Sequence, residues 1–568
     1  MKEMKEMEEI DDKEFYLYYL NDLSFIPRPS NWIEVIMDKK IFSLFKTTLE
    51  YIRFIHVMAG HITLSFLTDF TLPLSQPFNF MFMITSFLII SLLLFPANII
   101  IEICRLFNLF NFEFYDEAKW NRMTARKGLD KIKNIVQRGR KVLSSDFHGS
   151  QIFNLDMVET LLILSTIIYD QNVDKMHQVF RNLKIHEGND FNELIDDCRV
   201  AYEDIDKKAK KLKMKFLPLS ELGIPDSLFS GMYLSEHNDD LENNFIVVTF
   251  KGTSPTNFVE WLTDFLFMRV DASQFLFGEI HKGFYENFFP KTLDKTKESY
   301  PAKRMVESIC NLAKKMHERN KKKVNVWITG HSLGAALAQV FYARLMKIDP
   351  LPDYCVLRDA YVFAGPAVGD KDFASTFNGI FNKNFKENRM LWRIVNTNDI
   401  VTKMPPQHLY GMLRRYITKD DILNYYSVGY KIQLFLDNNK PKGVVLRKKN
   451  DDEEEKDDNL GSMEDMLSKK LIDDRKDYED SRFTLNNILN SILGKHNIAS
   501  YYDYDINHSP NELIMDKIET FIPGIIHNHF PHRYFMAMER LRSNEYELVV
   551  GEYKNIIDKL LADAHVVF

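Results

Sequence analysis

Four short apolar runs in the middle of the chain share one pattern. They are FIVVTF (245–250), VNVWIT (324–329), AYVFAG (360–365) and LWRIVN (391–396), each rich in β-branched or aromatic residues. Near-continuous apolar runs are typical of strands that are buried on both faces, and the intervals between these runs are long enough for helices. We therefore predict an α/β domain with a mostly parallel central sheet. A further apolar stretch, residues 157–170, is typical of a buried helix.

A longer uncharged stretch lies nearer the N-terminus. No charged residue occurs from Phe70 to Ile101, and about 20 apolar residues suffice for a helix to cross a membrane. This pattern predicts a hydrophobic helical membrane region at 70–105. The shorter apolar segment 54–67 suits the first half of a membrane hairpin, so one span and two spans both stay open. The alternative for the uncharged stretch is a buried core helix or an apolar flap of the α/β domain.

Basic residues follow the uncharged stretch, with eight lysines and arginines between positions 122 and 141. Under the positive-inside tendency they place the C-terminal part of the chain on the cytoplasmic side. The chain opens with MKEMKEMEEIDDKEF, which is acidic where a secretory signal would be basic. We therefore expect a membrane protein whose large C-terminal part is cytoplasmic.

Changes in composition divide the chain into regions. Residues 447–482 are densely charged and poor in apolar residues, which predicts a disordered acidic insert without the oxygen-ligand spacing of a calcium loop. The predicted regions are an N-terminal region (1–69), the membrane segment (70–105), a helical linker with the start of the α/β region (106–240), the α/β core (241–446), the acidic insert (447–482) and the C-terminal part of the same domain (483–568).

Overall charge and cysteine content exclude several function classes. The net charge is -7, so the chain lacks the basic field of a nucleic-acid-binding protein. The four cysteines have no CxxC or CxxH spacing, which favours reduced thiols over a disulfide framework or a zinc site. We predict no metal and no cofactor.

The stretch TGHSLGAALA (329–338) carries the strongest chemical signal. Ser332 stands between Gly330 and Gly334, where a buried strand is expected to turn sharply into a helix. Such a turn lifts a serine hydroxyl clear of the sheet, and the backbone N–H of Leu333 at the helix start can stabilise an oxyanion. A glycine-rich junction between a strand and a helix with no catalytic role gives the same short pattern. Ser332 is therefore a candidate nucleophile only if an acid and a base occur at suitable positions later in the chain.

Residues that can act as this acid and base follow in the order that such folds use. Asp399 comes directly after the run LWRIVN, and three histidines, His527, His529 and His532, lie much further on. After the first apolar run, Gly252 permits a close backbone approach and Thr253 offers a second N–H to an oxyanion.

At these positions the sequence resembles the fungal-type, class 3 triacylglycerol lipases of the α/β-hydrolase superfamily. The similar motifs are FKGT, EWLTDF, HKGFYENFFP, TGHSLGAALA, FAGPAVGD and VNTNDIVTKMPP, which occur in this order from about 245 to 404, and the likeness resumes near 526. The resemblance implies an α/β-hydrolase fold and a lipid ester substrate.

The resemblance also implies roles for individual residues. Ser332 is then the nucleophile, Asp399 orients the base, and Thr253 with Leu333 forms the oxyanion hole. His529 is favoured as the base because family members place a tyrosine a few residues after it, and His532 is the second choice. His281 is implied as a supporting residue, and His331 is expected to have no chemical role. Trp261 is implied as part of a lid at 258–268, for which a plain core helix is the alternative.

The expected function is therefore that of a membrane-anchored serine lipase acting on acylglycerols at a lipid surface. Two alternatives stay open. One keeps the chemistry and changes the substrate to diacylglycerol or phospholipid. The other is an inactive lipid-binding scaffold on the same fold.

Overall fold

A computed structural model describes eleven longer parts of the chain and several short ones. The longer parts are residues 128–145, 153–185, 191–222, 228–235, 244–252, 269–290, 300–348, 351–383, 389–396, 425–436 and 528–542. The short ones are scattered positions between 15 and 99 together with 399, 401–403, 441, 444–448 and 546–549.

Within these parts, seven strands form one central sheet. Its members are β1 (Met214–Glu221), β2 (Phe229–Ser235), β3 (Phe245–Phe250), β6 (Val324–His331), β7 (Cys355–Phe363), β8 (Leu391–Asn396) and β9 (Tyr430–Leu434), in the spatial order β1-β2-β3-β6-β7-β8-β9. The first three strands pair antiparallel, and every pair from β3 to β9 is parallel. The prediction of a mostly parallel α/β sheet is therefore confirmed. Two antiparallel strand pairs, β4 (Arg269–Asp271) with β5 (Glu279–His281) and β10 (Val445–Lys448) with β11 (Tyr546–Val549), form two separate two-stranded sheets.

Helices flank this sheet. They are α1 (Leu129–Ser144), α2 (Leu155–Ile167), α3 (Val173–Ile185), α4 (Phe191–Lys211), α5 (Lys282–Phe288), α6 (Pro301–Asn320), α7 (Leu333–Lys347), α8 (Lys371–Lys383) and α9 (Pro531–Glu539). Helices α2 and α7 both pack against β3, β6 and β7. Every residue of β6 is buried, so both faces of the sheet are covered at its centre. Helix α2 is itself buried over almost its whole length, as the apolar run at 157–170 predicted.

The sheet begins earlier in the chain than the sequence pattern indicated. Strands β1 and β2 lie inside the region 106–240, which was expected to hold a helical linker and only the start of the α/β region. Pro218 in β1 and Gly231 in β2 weaken the strand signal in the sequence. In the fold Pro218 adjoins a shift in strand register, and a Cβ at Gly231 would come within 2.3 Å of the Phe216 ring. Pro218 is therefore accommodated beside an irregularity in strand pairing, and Gly231 leaves room for the Phe216 ring.

The membrane prediction falls almost wholly outside the described residues. In the part of the chain that the structure describes, no helix is both long and apolar enough to cross a membrane. Only isolated positions of 54–67 and 70–105 belong to that part. The membrane region and the cytoplasmic placement stay predictions.

The acidic insert also lies outside the described residues, except at its start. Arg447 and Lys448 belong to β10, where they pair with Glu547 and Tyr546 of β11. The strand therefore continues two residues into the segment 447–482.

Candidate active site

Ser332 occupies a strained turn between β6 and α7. Its backbone has φ 60° and ψ -127°, a conformation that is essentially restricted to glycine and costs on the order of 1 to 3 kcal/mol. The Ser332 N–H donates to the carbonyl of Phe363 at the end of β7, over 3.0 Å. This bond ties the turn to the carboxyl edge of the sheet, where the sequence predicted it.

Three glycines let the backbone pass close to itself around this serine. A Cβ at Gly330 would stand 2.3 Å from the carbonyl oxygen of Gly334, and a Cβ at Gly334 would stand 2.2 Å from a carbonyl oxygen of β3. A Cβ at Gly252 would stand 2.6 Å from the carbonyl oxygen of His331. The ends of β3 and β6 and the start of α7 therefore meet at Ser332 only because these positions lack side chains.

His529 lies within hydrogen-bond distance of the serine. Its Nε2 is 2.8 Å from the Ser332 Oγ, although 197 residues separate the two along the chain. The other ring nitrogen, Nδ1, lies 3.1 Å and 3.0 Å from the two carboxylate oxygens of Asp399. The structure therefore brings Ser332, His529 and Asp399 together in one chain of hydrogen bonds.

Asp399 is fully buried and its carboxylate is held on several sides. The Val401 N–H donates to Oδ1 over 2.9 Å, and the Tyr534 hydroxyl donates to Oδ2 over 2.6 Å. Burial raises the pKa of Tyr534 well above its ordinary value, with the neighbouring charge of Asp399 adding to the effect. The phenol therefore stays protonated and remains a donor to the carboxylate.

The remaining predicted residues are placed as follows. Leu333 is the first residue of α7, and the first N–H groups of a helix have no acceptor inside the helix. His532 lies in α9 with its ring stacked on that of Phe530. His281 is buried at the end of β5, with its ring packed against Phe284 and Tyr425. Thr253, Trp261 and His527 lie outside the described residues.

Two contacts that hold Asp399 and the segment before His529 were not anticipated from the sequence. One is the bond from Tyr534 to Asp399 described above. The other is the bond from the Asn396 side-chain amide to the carbonyl of Asn528, over 2.9 Å, which ties the end of β8 to the residue before His529. A tyrosine after the histidines was the one available signal, and it did not reveal which group the hydroxyl would reach.

Across the described parts of the chain, no group of three or more histidine, cysteine or acidic side chains is placed to hold a metal ion.

Known proteins resemble this chain over the same segment. The family described as Lipase (class 3) matches residues 247–409. The phospholipase A1-IIgamma of Arabidopsis thaliana is 29% identical over 172 residues, which cover 28% of this chain and 38% of that protein. The triacylglycerol lipase OBL1 of Arabidopsis thaliana is 26% identical over 185 residues, or 28% of this chain and 34% of that protein. The chain thus spans well under half the length of these curated relatives.

A solved structure is also similar. The lipase II of Rhizopus niveus is 16% identical, covers 50% of this chain and 82% of that chain, and has a TM-score of 0.27. The family match includes both Ser332 and Asp399. Over residues 247–409, this chain is similar to the class 3 lipase family.

Proposed function

We propose that this protein is a serine lipase that hydrolyses carboxylic esters of lipids through an acyl-enzyme. The observation that carries the proposal is the continuous hydrogen-bonded chain from the Ser332 hydroxyl through His529 to Asp399. The class 3 lipase match over the same segment supports it. The inactive-scaffold alternative is disfavoured because a scaffold gives no reason to hold Ser332 in a strained turn against a buried histidine and carboxylate.

In the first half of the reaction, Ser332 attacks the ester carbonyl. His529 Nε2 takes the hydroxyl proton as the new C–O bond forms, and the Asp399 carboxylate stabilises the imidazolium that results. His529 then returns this proton to the leaving alcohol. The product of this half is an ester between the acyl group and the Ser332 oxygen.

The tetrahedral intermediate needs donors for its oxyanion. The Leu333 N–H at the start of α7 is one, and the positive end of the helix dipole adds to its effect. We assign the second donor to Thr253. This choice is supported by Gly252, whose backbone lies against the Ser332 turn and leads directly to Thr253.

Water completes the reaction. His529 removes a proton from the water molecule that attacks the acyl-enzyme, and the same proton is passed to the Ser332 oxygen as the fatty acid leaves. No cofactor takes part in these steps.

The substrate class is proposed as acylglycerol, in keeping with the triacylglycerol lipase name of one relative. Phospholipid is a second candidate, because another relative is a phospholipase A1. Both substrates present a carboxylic ester, so the same residues serve either one. Binding at a lipid surface, with Trp261 in a lid, belongs to this proposal.

A substrate panel tests the proposal. The full-length protein and its Ser332→Ala variant are assayed with a soluble short-chain ester, long-chain triacylglycerol, diacylglycerol and phosphatidylcholine. We expect hydrolysis of at least one lipid by the wild type and none above background by the variant. Equal rates for the two proteins on every ester would overturn the proposal, and the ranking of the lipids decides between acylglycerol and phospholipid.

A further inference from the structure

The side chain of His331 is buried between the elbow and the segment that carries His529. His331 is the last residue of β6 and is only 3% exposed. Its Nε2 lies 2.9 Å from the backbone carbonyl oxygen of His529. A carbonyl can only accept a hydrogen bond, so Nε2 of His331 must carry the proton.

Tyr169 faces the other ring nitrogen of His331. The Tyr169 hydroxyl lies 3.3 Å from His331 Nδ1 and 3.3 Å from the carbonyl oxygen of the same residue. With the proton on Nε2, the neutral ring leaves Nδ1 as an acceptor, and the tyrosine hydroxyl is a suitable donor to it. The position of the Tyr169 hydroxyl is therefore compatible with the tautomer that can donate to His529.

The ring of His331 also packs directly on groups of the site. Its centroid is 4.9 Å from that of the His529 ring, and it meets the Tyr534 ring edge-on at 6.2 Å. The side chain is thus in contact with both the proposed base and the tyrosine that holds Asp399.

The backbone around His529 depends on side chains for its hydrogen bonds. Residues 528–530 form a turn immediately before α9, so their carbonyls are outside any strand ladder. Asn396 donates to the carbonyl of Asn528, and His331 donates to that of the next residue, His529. Two successive peptide groups are thus fixed from the carboxyl ends of β8 and β6.

We infer that His331 is a positioning residue for the triad, which holds the main chain of His529 so that its ring meets Ser332 and Asp399 together. This inference rests on the proposed hydrolase function. It explains how a base that follows Asp399 by 130 residues in sequence is aligned with both Asp399 and Ser332. It gives a positioning role to His331, for which the sequence predicted no chemical role.

Kinetics on a soluble short-chain ester test the inference. The full chain is compared as wild type, Ser332→Ala, His331→Leu and His331→Gln. Leucine removes the donor, whereas a glutamine amide can place an N–H near the position of Nε2. We expect His331→Leu to lower kcat roughly 10-fold with KM within about 2-fold, and His331→Gln to recover most of the loss.

A fourth variant tests the positioning role with a smaller change that should leave folding intact. Tyr169→Phe removes only one hydroxyl, and we expect it to lower kcat about 2- to 5-fold at unchanged KM. Rates are expressed per active site, counted by titration with an organophosphonate, so that loss of folded protein does not register as loss of kcat.

The outcomes separate the two claims. If the wild type and Ser332→Ala hydrolyse the ester equally, the proposed function fails. If the wild type is active and kcat per titrated site is unchanged in both His331→Leu and Tyr169→Phe, the positioning role alone is overturned. An equal loss in His331→Leu and His331→Gln also contradicts it, because the donated bond would then be irrelevant.

Discussion

The Tyr534 hydroxyl lies 2.6 Å from Oδ2 of Asp399, and both groups are fully buried. The carboxylate therefore accepts bonds from a phenol and a backbone N–H in addition to the His529 ring. Such bonds limit the rotation of the carboxylate and hold it towards Nδ1 of His529. The orientation of the base thus depends on a residue five positions after it in the chain.

Replacing Tyr534 by phenylalanine is expected to reduce kcat roughly 10-fold, because a buried carboxylate loses a charge-assisted bond. KM should stay nearly constant, since the hydroxyl does not reach the substrate in the proposed mechanism. Tyr361→Phe is the matched control, because the buried Tyr361 hydroxyl has no hydrogen-bond partner among the described residues. A similar kcat for both variants would show that the bond to Asp399 does not assist turnover.

The segment after α9 is tied to α2 by Arg542. Its guanidinium donates 2.6 Å to Asp156 and also bonds to the fully buried carboxylate of Glu159. Partial burial alone would raise the pKa of Asp156, but hydrogen bonds from Arg138 and Arg542 bring it below the ordinary value. These contacts anchor the C-terminal end of the helix that follows His529.

The Arg542→Ala variant is expected to unfold with a free energy about 2 kcal/mol lower than wild type, because Glu159 stays buried without its cation. Chemical denaturation measures this value. Arg540→Ala, an exposed arginine two residues earlier, is the control and should change it by less than about 0.5 kcal/mol. Equal effects of the two substitutions would refute the anchoring role of Arg542.

The backbone strain at Ser332 predicts different stabilities for two inactive variants. Both Ser332→Gly and Ser332→Ala remove the nucleophile, but only glycine adopts φ 60° and ψ -127° without backbone strain. Glycine increases the conformational entropy of the unfolded chain, which offsets part of the relieved strain. With this cost subtracted, Ser332→Gly should be more stable than Ser332→Ala by about 1 kcal/mol. Denaturant titration of the two inactive proteins checks this, and a more stable alanine variant would argue against strain at the turn.

Asp359 predicts a pH dependence of stability. It lies in β7 and is buried, and burial raises its pKa to about 7, although the N–H groups of Trp392 and Met390 bond to its carboxylate. The folded state thus holds this proton more tightly than the unfolded chain does. The contribution of this proton to folding stability is complete below the pKa of an unfolded aspartate, about 4. The contribution is lost as the pH rises through about 7.

Comparison with Asp359→Asn isolates this effect. The asparagine variant satisfies only one of the two N–H donors, so it should be less stable at low pH. Between about pH 5 and 8, the free energy of unfolding of the wild type should fall by roughly 2 to 3 kcal/mol relative to the variant. Parallel pH profiles for the two proteins would mean that Asp359 does not titrate in this range.

The sequence predicted those parts of the fold that follow from local patterns. The bounds of β3 and β8 coincide with their apolar runs because both strands are buried on both faces. Ser332 and Asp399 were predicted from their positions directly after strands, since parallel strands bring their carboxyl ends to one edge. The histidine needed a family resemblance, because three candidates crowd within six residues.

Contacts between distant segments could not be predicted in the same way. The bonds from Asn396 to Asn528 and from His331 to His529 join residues separated by 132 and 198 positions. They depend on how the C-terminal segment returns to the sheet, which no local periodicity encodes. Strands β1 and β2 were missed for a related reason, because their proline and glycine are accommodated by pairing partners.

Covalent labelling of Ser332 tests the central claim most directly. The full-length protein is treated with an alkyl fluorophosphonate, which modifies serines activated by a neighbouring base, and the adduct is located by peptide mass spectrometry. We expect the label on Ser332 in the wild type and a loss of labelling in Ser332→Ala and His529→Ala. A wild-type protein that stays unlabelled at Ser332, or one labelled equally in the His529→Ala variant, would contradict the account.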